Sequence, residues 1–298
     1  MVITMVTIQN LTKQYNRDVQ ALRGIDLEIG PGMFGLVGPN GAGKTTLMRL
    51  IAGLLRPTDG RISLFGSDLA TAKGKLAAKR GLGYLPQEFG FYPDLTAAQF
   101  LDYIAILKGI RHRTERQRQV ESVLAMVRLT DQAGRKLKQF SGGMKRRVGI
   151  AQALIGQPRL LIVDEPTAGL DPEERVRLRN LLADTANHCT VILSTHIVED
   201  ISQSCDDLAV LHEGRVLFRG SPRDLIGAAR GQVWTVMTNG ERGYRERPFA
   251  NATIVSTVQY QDGVQYRILG DPGPDYTAVP AEPGLEDGYI WLMNSTRG

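Results

Sequence analysis

Hydrophobic and polar positions along the chain switch between two periods, and the switches divide it into elements. Val6-Thr7-Ile8 and residues 25–29 alternate as strands do. Met33 to Val37 is a short apolar run entering a Gly-rich turn, and Leu47, Leu50, Ile51, Leu54 and Leu55 then repeat with helical spacing. Residues 160–163 and 190–193 are unbroken apolar runs of strand length, the pattern of a parallel sheet covered on both faces. Between about residues 89 and 156 the period turns helical, with helices predicted over 99–107 and 117–127, so a helical subdomain is inserted into an α/β core. The last part differs. Residues 232–238 and 253–260 alternate, and Asp262-Gly263 before 264–269 predicts a tight hairpin. Leu285, Tyr289, Leu292 and Met293 form a helical stripe, with Glu286 and Asp287 in the first turn, where the helix dipole favours acids.

Composition narrows the class. The 298 residues, 42% hydrophobic and 22% charged, suffice for a large core and exclude a disordered or fibrous chain. No apolar run approaches the roughly 20 residues of a membrane helix, and the N-terminus has no basic-then-apolar leader pattern, so a cytoplasmic protein is expected. Cys189 and Cys205 provide neither a disulfide framework nor metal-site spacing. Residues 231–298 carry five arginines, no lysine and eight acids, a net of −3, which leaves +8 on the rest of the chain. This shift predicts a boundary near 225–231, with an accessory α+β domain over 231–298. The basic excess suits polyphosphate binding. Arg111-His112-Arg113 with Arg116 and Arg118 lacks interleaved aromatics and reads as a solvated helix face, with no nucleic-acid partner.

Candidate chemistry begins at Gly38-Pro39-Asn40-Gly41-Ala42-Gly43-Lys44-Thr45-Thr46, between a strand and a helix. Glycines let successive N–H groups turn toward phosphates, and the following helix adds its positive end. Lys44 reaches the β- and γ-phosphates, and Thr45 is placed to ligate Mg²⁺. An apolar strand ending in Asp164-Glu165 supplies a carboxylate near the metal and a second one able to polarise a water. These two motifs leave kinases, GTPases and recombinases open. Phe140-Ser141-Gly142-Gly143-Met144, about twenty residues before Asp164, would by itself be a helix-capping turn; its place between the other motifs gives it a different meaning.

With that third motif the chain resembles the ATP-binding subunits of ABC transporters, over residues 5 to about 225. The resemblance implies a P-loop ABC ATPase core over 1–225, with its helical subdomain at about 89–156. It implies ATP and Mg²⁺ as ligands, with Gly38, Asn40, Gly41, Ala42, Gly43, Lys44, Thr45 and Thr46 around the phosphates and Tyr15 stacking on adenine. Gln87, in Tyr84-Leu85-Pro86-Gln87, matches the glutamine that senses γ-phosphate and metal, and His196 the switch histidine; Glu165, His196 and Gln87 are the catalytic candidates, and Thr45, Gln87 and Asp164 the metal candidates. Ser141, Gly142 and Gly143 would bind the ATP held by a second copy in a head-to-tail dimer. Ala168-Gly169-Leu170-Asp171 resembles the loop that crosses between the copies. Phe140 and Met144 replace the ends of the usual Leu-Ser-Gly-Gly-Gln, and Ala168-Gly169 the usual Ser-Ala. The tail, through Leu285-Glu286-Asp287 and Tyr289, resembles the extension on ATPase subunits of two-component drug and antibiotic exporters. An exporter motor under a separate transmembrane permease, peripheral on the inner face of the membrane, is therefore expected. An importer motor and a soluble ABC ATPase are the alternatives. Ribosome-remodelling relatives carry two cassettes, and chromosome ATPases a long coiled coil, where this chain has one phosphate loop and about 120 residues between Lys44 and Asp164.

Overall fold

The computed structural model describes residues 4–88, 90–167, 170–202, 204–238, 249, 251–274 and 276–296. They form two compact units: the described residues of 4–200 and 204–219, and those of 201–202 and 220–296.

In the first unit, β1 (Val6–Gln14), β2 (Gln20–Ile29), β4 (Asp59–Leu64) and β5 (Ser67–Asp68) make an antiparallel sheet in the order β2-β1-β4-β5. A second sheet of six strands runs β10-β9-β3-β8-β7-β6, from β3 (Met33–Val37), β6 (Leu82–Leu85), β7 (Leu160–Asp164), β8 (Thr190–Thr195), β9 (Asp207–His212) and β10 (Arg215–Gly220). The pairs β6–β7, β7–β8, β8–β3 and β3–β9 are parallel. Strands β3, β7 and β8 are buried at every residue, which is why their sequences are continuous apolar runs without alternation. Helix α1 (Lys44–Ile51) contributes Leu47, Met48, Leu50 and Ile51 to one core shared with both sheets, where Val6, Ile8, Leu27, Leu36 and Ile162 also lie.

After α2 (Ala72–Gly81), the segment between β6 and β7 holds α3 (Ala97–Leu107), α4 (Arg113–Met126) and α5 (Gly142–Leu154). Helix α3 begins two residues before the predicted 99. Thr96 Oγ1 accepts the Gln99 N–H at 3.2 Å and Gln99 Oε1 accepts the Thr96 N–H at 2.9 Å, a reciprocal cap that periodicity alone does not register. Helix α4 starts at Arg113, before the predicted 117, and keeps Arg113 and Arg118 exposed. Arg116 pairs with Asp102 of α3 at 2.7 Å. Phe89, the predicted start of the helical segment, lies outside the described residues. Helix α6 (Pro172–Ala186) and the short α7 (Glu199–Ser202) follow β7 and β8.

The second unit contains α8 (Pro222–Ala228) and a sheet in the order β12-β13-β11-β14, from β11 (Val233–Thr238), β12 (Asn251–Tyr260), β13 (Gly263–Asp271) and β14 (Ala278–Pro280), with α9 (Leu285–Ser295). Its hairpin is one residue tighter in register than Asp262-Gly263 suggests. Gly263 already pairs with Tyr260, leaving Gln261-Asp262 as the turn. Helix α8 belongs to this unit, so packing starts the unit at 220, upstream of the composition shift. Its Leu225 carbonyl approaches α9 so closely that a Cβ at Gly288 would lie 2.2 Å away.

Candidate functional site

Parallel pairing brings the carboxyl ends of three strands to one edge of the six-stranded sheet. Val37 lies opposite Thr195, and Asp164 opposite Ser194, so the phosphate loop after β3, His196 after β8 and Glu165 after β7 emerge side by side. Gly43 caps α1 with φ +106°, a conformation that would strain any side chain. No side chain caps α1, and its first turn holds no acid, so the positive end of the helix is left for an anion. Asn40 and Gly41 are exposed at the rim, and Gly38 and Ala42 are buried.

Lys44 is 5% exposed. Its Nζ donates to Gly38 O at 2.7 Å and Pro39 O at 3.2 Å and lies 3.5 Å from Glu165 Oε1. Burial lowers its pKa from the ordinary lysine range, and the neighbouring Glu165 charge opposes that shift. Glu165 Oε2 is 3.3 Å from His196 Nδ1 and 3.5 Å from Gln87 Nε2. The Glu165 backbone has φ +45°, the left-handed region, at a cost of roughly 1–3 kcal/mol for a non-glycine residue. Its N–H donates to Ser194 O at 3.0 Å, across to β8.

Asp164 is fully buried. Ser194 Oγ donates to its Oδ1, while Oδ2 has no hydrogen-bond partner among the described residues. A buried carboxylate oxygen left unsatisfied is costly, and a hard cation at that point would satisfy it. Thr45, half-buried in the first turn of α1, offers a second oxygen of the right kind. Tyr15 stands just after β1, half exposed. Its Oη shares a 3.3 Å hydrogen bond with Thr46 Oγ1, and Lys13 Nζ lies 5.4 Å from its ring centre.

Ser141, Gly142 and Gly143 form the start of α5. The Ser141 hydroxyl accepts the Met144 N–H at 3.2 Å, so it caps the helix, and Ser141 and Gly142 are exposed. Among the described residues none of their hydrogen bonds reaches the Lys44–Glu165 cluster. Of the predicted crossing loop, Ala168 and Gly169 lie outside the described residues, and Asp171 caps α6 by accepting the Glu174 N–H at 2.8 Å.

Four participants escaped the sequence reading. Ser194 was legible only as a neighbour of His196. Thr167 Oγ1 donates to Asp200 Oδ2 at 2.8 Å, both buried, linking the loop after Glu165 to the segment after His196. Arg146, 8% exposed, sends its guanidinium to the carbonyls of Gln87, Asp164, Glu165 and Pro166. Its signal was periodicity: it shares a buried helical face with Ile150 and Ala153. The two thiols take no part. Burial pushes Cys189 up to about 11 and Cys205 further up, so neither is a ready nucleophile.

A backbone cradle at a helix start, a buried lysine and two acids at the end of a nearby parallel strand define a P-loop nucleoside triphosphatase. Residues 22–168 match the family described as ABC transporter. An ABC transporter ATP-binding protein of Synechocystis is 36% identical over 92% of this chain and 79% of its own length. The Nod factor export ATP-binding protein I of Burkholderia thailandensis is 35% identical over 98% of both chains. Among solved structures, a dimeric ATP-binding cassette in a post-hydrolysis state with ADP and Pi superposes with a TM-score of 0.67 at 28% identity, covering 73% of this chain and 98% of that one. The chain belongs to the ABC transporter family and is an ATP-binding subunit of it, an ATPase.

Proposed function

We propose that this chain drives export, as a head-to-tail dimer on the inner face of the membrane beneath a separate permease. Two features support export: the relative named for Nod factor export matches along 98% of the chain, tail included, and the predicted resemblance of the tail points the same way. Among the described residues no helix is long and apolar enough to cross a membrane, which suits a subunit that works through a membrane partner.

The observation that carries the shared site is Gly142. A Cβ there would meet nothing within 4 Å, and its φ lies outside the left-handed region, so nothing among the described residues requires glycine at this position. A ligand approaching from outside explains it. The γ-phosphate of ATP held by a second copy, docked on Ser141, Gly142 and Gly143, is such a ligand.

Within each site the N–H groups of Gly38 and residues 40–46 cradle the phosphates, and Lys44 exchanges its contacts with Gly38 and Pro39 for phosphate oxygens. Thr45, Asp164 and Gln87 would hold Mg²⁺, which would offset the negative charge of the phosphates. Glu165 accepts a proton from the attacking water, giving ADP and phosphate, and His196 orients Glu165 and faces the γ-phosphate. Tyr15 stacks on the adenine.

Mixing two inactive variants tests the arrangement. Lys44→Ala breaks one chain's phosphate loop, and Ser141→Arg breaks the surface offered to its partner. In a hybrid dimer one site carries both defects and the other carries neither. At equal mixing about half the dimers are hybrids, so activity recovers to at most about a quarter of wild type. If both variants are well folded, the Ser141→Arg chain binds ATP and the mixture still stays inactive, the support for a shared site is removed. Movement of substrate across permease-containing vesicles, away from the face that carries this subunit and ATP, tests direction; movement toward that face would make it an importer.

A further inference from the structure

We infer that Arg146 is a positioning residue for hydrolysis, clamping the loop of Glu165 and the loop of Gln87 to helix α5. The inference rests on the reading of Glu165 as the general base.

The geometry is that of a clamp across chain segments far apart in sequence. Arg146 Nε donates to Pro166 O at 2.9 Å, and Nη1 to Gln87 O at 2.8 Å. Nη2 donates to Glu165 O and, at 3.4 Å, to Asp164 O. One rigid, planar fork thus fixes the carbonyls of three consecutive residues at the end of β7 and just beyond it, and one carbonyl beyond β6. The middle residue of those three is the one whose backbone is left-handed at φ +45°. A non-glycine residue keeps that conformation only where its surroundings over-determine it. Here the Glu165 N–H is held by Ser194 O and its C=O by Arg146, so both faces of the unfavourable turn are fixed. The carboxylate of Glu165 and the amide of Gln87 meet at 3.5 Å only while their two loops keep this spacing.

Chemistry sets what a replacement can do. Lysine keeps the charge and most of the stem, but its single ammonium lacks the divergent fork and cannot hold both loops in the same plane. Arg146→Lys should therefore leave ATP binding, which rests on Lys44 and the phosphate loop, while misplacing the base. A misplacement on the order of 1 Å lowers turnover roughly 10²-fold.

The experiment uses the full chain and compares wild type, Arg146→Lys, Arg146→Gln, Glu165→Gln and the double variant Arg146→Lys/Glu165→Gln by thermal melting, ATP binding and turnover. Expected is a folded Arg146→Lys with an unchanged ATP dissociation constant and a kcat lowered roughly 10²-fold. In the Glu165→Gln background the same substitution should lower the residual rate no further, because two residues acting through one group are non-additive. Full kcat in Arg146→Lys, multiplicative losses in the double variant, or failure of both Arg146 variants to fold would each overturn the inference, the last by making Arg146 a core strap. Near-normal turnover in Glu165→Gln alone would instead remove the assignment of the base, and with it this inference.

Discussion

At Glu165 a strained backbone, a buried lysine and an exposed imidazole meet around one carboxylate. A general base contributes roughly 10²–10⁴ in rate, so Glu165→Gln should bind ATP normally and lose turnover by that factor, measured as phosphate release. Near-normal release would take Glu165 out of the chemistry. Tyr15 makes a different kind of case. It is half exposed beside Thr46, with Lys13 Nζ 5.4 Å from its ring centre, so part of the side chain is open to an incoming base. Tyr15→Ala should weaken ATP binding by roughly 1–2 kcal/mol, the range of base–aromatic stacking, with little change in kcat. An unchanged dissociation constant would leave Tyr15 as an exposed turn residue. Both positions were nameable from motifs. What the motifs lacked was the φ of Glu165 and the guanidinium behind it, because backbone strain and carbonyl-binding carry no residue pattern of their own.

Elements show where local rules are overtaken by partners. Asp287 reads from sequence as a first-turn acid favoured by the dipole of α9. In the structure it is 3% exposed at its side chain, and Arg267 of β13 donates to it from Nη2 at 2.6 Å and from Nε at 3.0 Å, while the Gly284 N–H donates at 2.6 Å. The Asp287 hydrogen bond holds the Arg267 pKa above its ordinary value. Removing Asp287 takes an acceptor from the part-buried Arg267 and from the Gly284 N–H, so Asp287→Ala should destabilise the second unit by about 1–3 kcal/mol. Trp234 and Trp291 are the two tryptophans of the chain, and both lie in that unit, so urea unfolding followed by tryptophan fluorescence isolates the effect. An unshifted midpoint would reduce the pair to a surface contact.

For the whole molecule, the placement of α8 decides where the chain can be divided. Helix α8 rests on α9, so a chain ending within or just after α8 keeps half of that contact and exposes Leu225, which is 1% accessible. A chain ending at Arg219 should therefore fold and hydrolyse ATP, whereas one ending at Gly227 should melt lower and aggregate more readily, compared by light scattering on heating. Equal behaviour of the two truncations would mean that α8 does not depend on α9.

Much of this protein was written locally. The phosphate loop, the Asp164-Glu165 strand end and the apolar runs of β3, β7 and β8 are contiguous residues whose types answer to one physical demand each: close approach to phosphate, carboxylates at a strand end, burial on both faces. Those demands are met within a few residues, so they are readable without coordinates. The convergence of Lys44, Gln87, Glu165 and His196 also followed from motif order, although their distances did not. Arg146 on the Gln87 and Glu165 loops, Thr167 on Asp200, Arg267 on Asp287 and α8 on α9 were decided only by tertiary structure. Each joins residues whose separation in sequence has no fixed period, and a buried donor settles on whichever acceptor the packing of distant elements leaves beside it.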